Sequence, residues 1–382
     1  MKTKRPLPKR LPGILVGLLA LSLTAVPGAL AAPFAYVSNF GSGNVSVIDG
    51  ATNAVVTTVS VGTAPYGVAA NPAGTRAYIA NYGDNSVSVI DTVSNTVVAI
   101  VSGLGASPSG VAVSADGTKV YVASGNGTVS VIDAVSNSVL GTVSTDGALS
   151  GIAVNPAGTR LYVTDFSNNR VIVISASPIS VVTPIDVGFS PLGIAVSPSG
   201  ARVYVANGDG TVSVIDTTIN PVAVVATVPV GTPSLSSLVG LAVSPSGSPV
   251  YVTNTGENTV SVIDAQTNAI LATVPVGRGP FGVATDPTGA RVFVGNATDG
   301  TVSVIDAATN AVVATVGVGA HPLAFGAFVA AAPSAADSCD SQNEGAAKKS
   351  KRSDKELRSQ SDDRQQHDCD DEDDDEDKGT ED

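Results

Sequence analysis

The chain has 382 residues with 40 glycines, 23 prolines, no tryptophan and 43% hydrophobic residues, which suits a body of strands and tight turns and argues against a helical one. Its formal net charge is −13, and the sign is negative everywhere beyond the first 31 residues. Nucleic acid is therefore excluded as a partner, because phosphate binding needs a basic surface.

Residues 1–31 read as a secretory signal. A basic start (Lys2, Lys4, Arg5, Lys9, Arg10) leads into an apolar run and then small residues ending at Ala29-Leu30-Ala31, with cleavage expected after Ala31. Pro12, Gly13, Gly17, Pro27 and Gly28 interrupt the run and argue against the rival reading, an uncleaved membrane anchor. The mature chain is accordingly expected to be exported, to the periplasm, the cell surface or the medium, with no transmembrane span once the signal is removed.

From residue 34 the chain repeats. Tyr36, Tyr78, Tyr121, Tyr162, Tyr204, Tyr251 and Phe293 are separated by 42, 43, 41, 42, 47 and 42 residues, which counts seven copies. Each copy holds four apolar stretches of strand length parted by turn residues, the unit of a propeller blade. The first two are joined at hairpin spacing, as by Gly208-Asp209-Gly210. The fourth stretch supplies Gly67-Val68-Ala69, Gly151-Ile152-Ala153, Gly193-Ile194-Ala195 and their equivalents, small residues suited to a crowded axis. The third carries Pro229 and Pro275, and proline removes a ladder donor, so that stretch belongs at the rim. The expected fold is all-β: a seven-bladed β-propeller of four-stranded antiparallel blades over residues 34–330. The first copy begins at its second strand and the last ends in a solitary innermost one, residues 323–329, so the C-terminal strand is expected to join the N-terminal blade and close the ring.

The unit resembles the YVTN-type propeller repeats of archaeal surface-layer proteins and many exported bacterial proteins. Tyr251-Val252-Thr253-Asn254 spells the signature, and the GTVSVID, TNAVVATVPVG and P-x-GVA segments follow in phase. The resemblance covers about three quarters of the chain and implies the fold strongly, but a function weakly, since propellers host many activities. The fourth copy departs most: Val171-Ile172-Val173-Ile174-Ser175 replaces the VSVID segment and reads as local drift.

The recurrent Asp49, Asp91, Asp133, Asp216, Asp264 and Asp306 each begin a turn, where a carboxylate accepts backbone N–H groups, and so read as scaffold residues; Asn39, Asn81, Asn207, Asn254 and Asn296 at the first hairpins read the same way. With one histidine and no cysteine in the repeats, no metal site or cofactor is expected there. No set of residues is fixed by spacing into a catalytic constellation.

Rim-to-channel connections and first hairpins should emerge on one face of the disc. There the residues opening the innermost strands form a ring: Tyr66, Ser109, Ser150, Leu192, Val239, Phe281 and Leu323. Near it fall Arg278, His321 and the hairpin residues Phe40, Tyr82 and Phe166. Aromatic residues on a loop face favour recognition, so Tyr66, Phe281, Arg278, His321, Phe40, Tyr82 and Phe166 are the candidate ligand-binding set. Residues 232–237 lengthen one connection on this face and are either a specificity loop or a harmless insertion.

Residues 331–382 are expected to form a disordered acidic tail: residues 332–382 carry 18 acidic and 8 basic residues, a density that cannot offset its ordering entropy. It suits loose cation association. Lys348, Lys349, Lys351 and Arg352 precede the acidic run and could pair with it transiently. Cys339 and Cys369 lie in this tail, with an internal disulfide, a link between chains and two free thiols all open.

The leading functional expectation is an exported, non-catalytic interaction scaffold or cell-surface protein that binds a protein or cell-envelope component through its loop face. The alternative is an extracytoplasmic hydrolase, lyase or lactonase-like enzyme working at the channel mouth. An acid, a base and a polar orienter clustered at the channel would favour the enzyme, and an apolar, serine-lined mouth would favour binding. Self-assembly into a surface layer is a third reading.

Overall fold

The computed structural model describes residues 33–231 and 238–331, so the signal, the tail with its two cysteines and basic segment, and residues 232–237 lie outside the described residues. Seven four-stranded antiparallel sheets follow one another along the chain, as the repeat requires. In the second blade the order from axis to rim is Pro65–Ala70, Arg76–Asn81, Ser86–Asp91 and Thr96–Val101. Among the described residues there is no helix.

Burial follows this order. The two middle strands of each blade are covered on both faces, as in Thr211–Asp216, because a neighbouring blade lies against each side. The aligned aromatics sit there: Tyr36, Tyr78, Tyr121, Tyr204, Tyr251 and Phe293 are among the largest fully buried side chains. They tie blade to blade. Tyr36 donates its hydroxyl to Asn95 Oδ1 in the second blade at 3.1 Å, and Tyr121 packs with Leu149 and Ile152 of the fourth. The outer strands, including Ala223–Pro229 and Ile270–Pro275 with their prolines, alternate toward solvent at the rim.

The innermost strands show why glycine recurs. A Cβ placed on Gly67, Gly151, Gly193 or Gly240 would fall 1.9, 2.4, 2.3 or 2.2 Å from a backbone carbonyl oxygen of the next blade's inner strand. Adjacent inner strands therefore approach backbone to backbone around the axis, which only glycine permits.

The C-terminal segment closes the ring, as the phase of the repeat anticipates. Ala330 pairs with Phe34 and Val329 with Ala35 in the first blade, and Pro322 bridges Asn39. Between these points the segment is longer than its counterparts by two residues: Asn39 to Ala35 is matched by 322 to 329, whereas Asn81 to Ala77 in the second blade is matched by 65 to 70. The surplus swings across the seam. Val68 and Ala70 of the second blade donate backbone N–H groups to Phe325 O and Ala327 O at 2.9 and 3.0 Å, while Tyr36 donates to Phe328 O at 2.8 Å. Gly326 makes the turn at φ +115°, a conformation that side chains resist.

The repeated polar residues hold the frame together. Asp133 Oδ1 accepts N–H groups from Val135 and Ser136, and Asp264 Oδ1 from Gln266 and Thr267. Asn81 donates to Ser86 and Ser88 across its hairpin, as Asn254 does to Thr259 and Ser261. Backbone hydrogen bonds hold the carboxyls of Asp84, Asp133, Asp264 and Asp299 below the usual carboxylate range. Such groups contribute stability that is complete above the unfolded-state value and lost as pH falls through the lowered folded values. Thermal midpoints followed by calorimetry should therefore be level from about pH 8 to 5 and decline progressively below about pH 4; a midpoint that rises on acidification would contradict this role.

The fourth copy also departs at its first hairpin, and there the change is compensated. Asp165, fully buried, replaces the hairpin asparagine, and Arg170 replaces the asparagine, serine or threonine that such an asparagine contacts in other blades. Arg170 Nε donates to Asp165 at 2.9 Å and its guanidinium also pairs with Asp146. Burial raises the Asp165 carboxyl, but hydrogen bonds from Asn168, Ser167 and Arg170 outweigh it and hold it below the usual range.

A candidate ligand site at the channel mouth

The mouth is built by two local devices. Each of the six complete inner strands carries a one-residue bulge just after its first residue, as where Pro65 pairs with Asn81 but Val68 with Ile79. A bulge re-aims the side chain it holds, and here it holds Tyr66, Ser109, Ser150, Leu192, Val239 and Phe281. The second device joins hairpin to connection. Phe40, Tyr82 and Phe166 donate their N–H groups to the carbonyls of His321, Ala64 and Ala148, which fixes hairpin aromatics beside the ring on one face.

Five aromatic rings meet there. Tyr66 lies edge-on to Phe281 at 5.6 Å and to Phe325 at 5.7 Å, and Phe281 meets Phe325 at 6.1 Å. Phe40 and Tyr82 extend the cluster, at 6.4 and 6.1 Å from Tyr66. Tyr66 and Phe281 come from the blades that flank the closing one, and Phe325 stands between them on the surplus of the closing segment. Sequence reasoning placed Leu323 in the ring and missed Phe325, because no later copy reveals the two extra residues. Below this cluster the axis narrows to a void of about 20 Å³ lined by Gly110, Gly151, Gly193, Phe325 and Gly326, the room of about one water. The channel is therefore stopped rather than open.

Above the stop lies a cavity of about 620 Å³, displaced to one side of the axis. Phe40, Tyr66, Tyr82 and Phe166 line it with Leu149 and Leu192 and with Ser107, Ser109, Gly125, Asn126 and Ser150. Tyr82 and Phe166 remain 41% and 39% exposed, so their faces are available to a ligand. Ser109 Oγ is committed to backbone, donating to Ser150 O at 3.0 Å. Burial, then the nearby Tyr82, pushes the Tyr66 phenol well above its ordinary range, so it is a proton donor at neutral pH and not a base.

The seven candidate residues thus separate. Phe40, Tyr66, Tyr82 and Phe166 line one cavity, and Phe281 backs it through Tyr66. Arg278 turns away, donating Nε to Asp299 Oδ1 at 2.6 Å. His321 is exposed and does not line the cavity; its carbonyl holds Phe40. No carboxylate, imidazole or ammonium is among the described lining residues. Among the described residues no group of three or more His, Cys, Asp and Glu side chains converges as a metal site.

Seven four-stranded sheets closed around an axis, with a cavity at one end, define a seven-bladed propeller with its site on the loop face. A family model described as lactonase, seven-bladed β-propeller, matches residues 91–315, more than half of the chain, and the chain belongs to that family. Curated proteins give no match. Among solved structures it is similar to a functionally unknown protein from Desulfotomaculum acetoxidans DSM 771, at 19% identity and a TM-score of 0.68, over 78% of this chain and 98% of that one. Hydrazine synthase of Kuenenia stuttgartiensis is similar at 22% identity and a TM-score of 0.65, over 75% of this chain and 98% of that one. The dihydro-heme d1 dehydrogenase NirN, in complex with DHE, is similar at 19% identity and a TM-score of 0.56, over 75% of this chain and 63% of that one. At these identities the likeness is one of fold.

Proposed function

We propose that this lactonase-family propeller is an exported recognition protein that holds a ligand from the cell envelope in the loop-face cavity. In this reading residues 1–31 are the export signal, residues 34–330 are a YVTN-type repeat body, and residues 331–382 are an acidic tail that associates loosely with cations. The observation that carries it is the lining: aromatic faces and two leucines with a few hydroxyls and one amide around about 620 Å³, a size and character suited to holding a small molecule or the end of a larger one.

Family membership favours a second reading, lactone ring opening at the same cavity. Attack of water on a lactone needs a general base or a metal-held hydroxide, together with a donor to the carbonyl oxygen. Tyr66 suits the donor role, and the described lining supplies no base.

One pair of measurements separates the readings. Binding of the mature chain to immobilised envelope fractions is expected to weaken about 10-fold or more when Tyr82 and Phe166 are both changed to alanine, with the melting curve retained. Undiminished capture by that variant contradicts the site. A panel of lactones is expected to open at the spontaneous rate; faster opening that vanishes in Tyr66→Phe would replace recognition with catalysis.

A further inference from the structure

The cavity lies off-axis where a short glycine hairpin, a type the fifth blade shares, stands between two aromatic-bearing hairpins. The residue after the hairpin asparagine, or its equivalent, is Phe40, Tyr82, Gly125 and Phe166 in the first four blades. The third blade's hairpin is also a residue shorter, residues 125–127 against 82–85 and 166–169 in its neighbours. A glycine and a deletion thus stand between two aromatic-bearing hairpins, and the cavity contains all three of Tyr82, Gly125 and Phe166. Polar groups gather at the same notch. Ser107 is half-buried and Asn126 exposed beside Gly125, and Ser150 lies on its inner side.

Resting on the recognition reading, we propose that this notch binds an uncharged saccharide unit, its ring face laid on Tyr82 or Phe166 and its hydroxyls met by Asn126, Ser107 and Ser150. Three features select that class. Aromatic faces carry a negative quadrupole that attracts the polarised C–H groups on a sugar ring's flat side. Side-chain hydroxyls and an amide offer both donors and acceptors, which matches a ligand whose edge is all hydroxyl. The described lining presents no cation to a phosphate or carboxylate and no anion to an amine, so a charged ligand would be desolvated without a partner.

Gly125 allows a clean test. Its backbone is not in the left-handed region, and a Cβ there would meet only Ser107 Cβ at 3.4 Å and Ser107 O at 3.6 Å, ordinary contact. Gly125→Phe therefore refills the notch without backbone strain. The full mature chain is titrated by calorimetry, with saturation-transfer NMR, against a neutral glucose trisaccharide, a neutral N-acetylglucosamine trisaccharide, trigalacturonate and indole. At least one neutral trisaccharide is expected to bind, weakened about 10-fold or more by Gly125→Phe and by Phe166→Ala, and unchanged by Leu271→Ala on the exposed rim. Trigalacturonate or indole binding better than the neutral sugars, with sensitivity to Gly125→Phe, would overturn the saccharide class while leaving the mouth as the site. Saccharide binding indifferent to Gly125→Phe would overturn the notch and the recognition site together. Failure of both neutral trisaccharides to bind also overturns the proposal.

Discussion

Removal of residues 322–330 is expected to lower the thermal midpoint by at least about 15 °C and to abolish a single cooperative transition near the native temperature. The segment buries Ala324, Phe325, Phe328 and Ala330, with Phe328 fully enclosed. Losing a buried phenylalanine costs about 3–5 kcal/mol, so two of them approach the whole margin of an ordinary domain. The deletion also strips backbone partners from Tyr36, Val68 and Ala70 and leaves Phe34–Asn39 as an open edge. Phe328→Ala alone should cost about 3–5 kcal/mol by denaturant titration. A truncated body that melts like the intact chain would show that the ring does not depend on this seam.

Gly193→Ala should destabilise by about 2–3 kcal/mol, although it adds one methyl group. The new Cβ would lie 2.3 Å from Val239 O and 3.2 Å from Leu241 N, backbone atoms of the next sheet that yield only if the blades part. Gly317→Ala, in an outer strand, meets nothing within 4 Å and should be neutral or stabilising by up to about 1 kcal/mol. The contrast between two identical substitutions isolates crowding at the axis from helpful loss of glycine freedom. Equal effects, read from denaturation midpoints at constant slope, would remove crowding as the cause.

What could be read from the sequence was whatever repeats. The period of Tyr36 through Phe293 counted the blades, the Gly-Val-Ala stretches marked the axis, and Pro229 and Pro275 marked the rim, each because one residue type answers one physical demand in every copy. Ring positions Tyr66, Ser109, Ser150 and Leu192 were legible because their bulge recurs with them. Features that occur once were harder. Phe325 escaped because the closing strand's two extra residues have no later copy to align against, and a register argument alone cannot see a loop that crosses a seam. The pair Asp165 and Arg170 carried a signal that went unused: two substitutions five residues apart, of opposite charge, at positions that touch in each asparagine-bearing hairpin. The notch at Gly125 was visible as an absence between Tyr82 and Phe166, but an absence acquires meaning only when the neighbouring hairpins are placed side by side.

The most direct test is residue-resolved hydrogen exchange of the Tyr36, Val68 and Ala70 amides, whose acceptors are the distant carbonyls of Phe328, Phe325 and Ala327 in the closing segment. A closed ring predicts that all three exchange as slowly as amides in the middle strands, such as that of Val205 in Arg202–Asn207. Exchange of these three at the rate of exposed loop amides, with Val205 still protected, would contradict the closed ring and with it the floor of the proposed site.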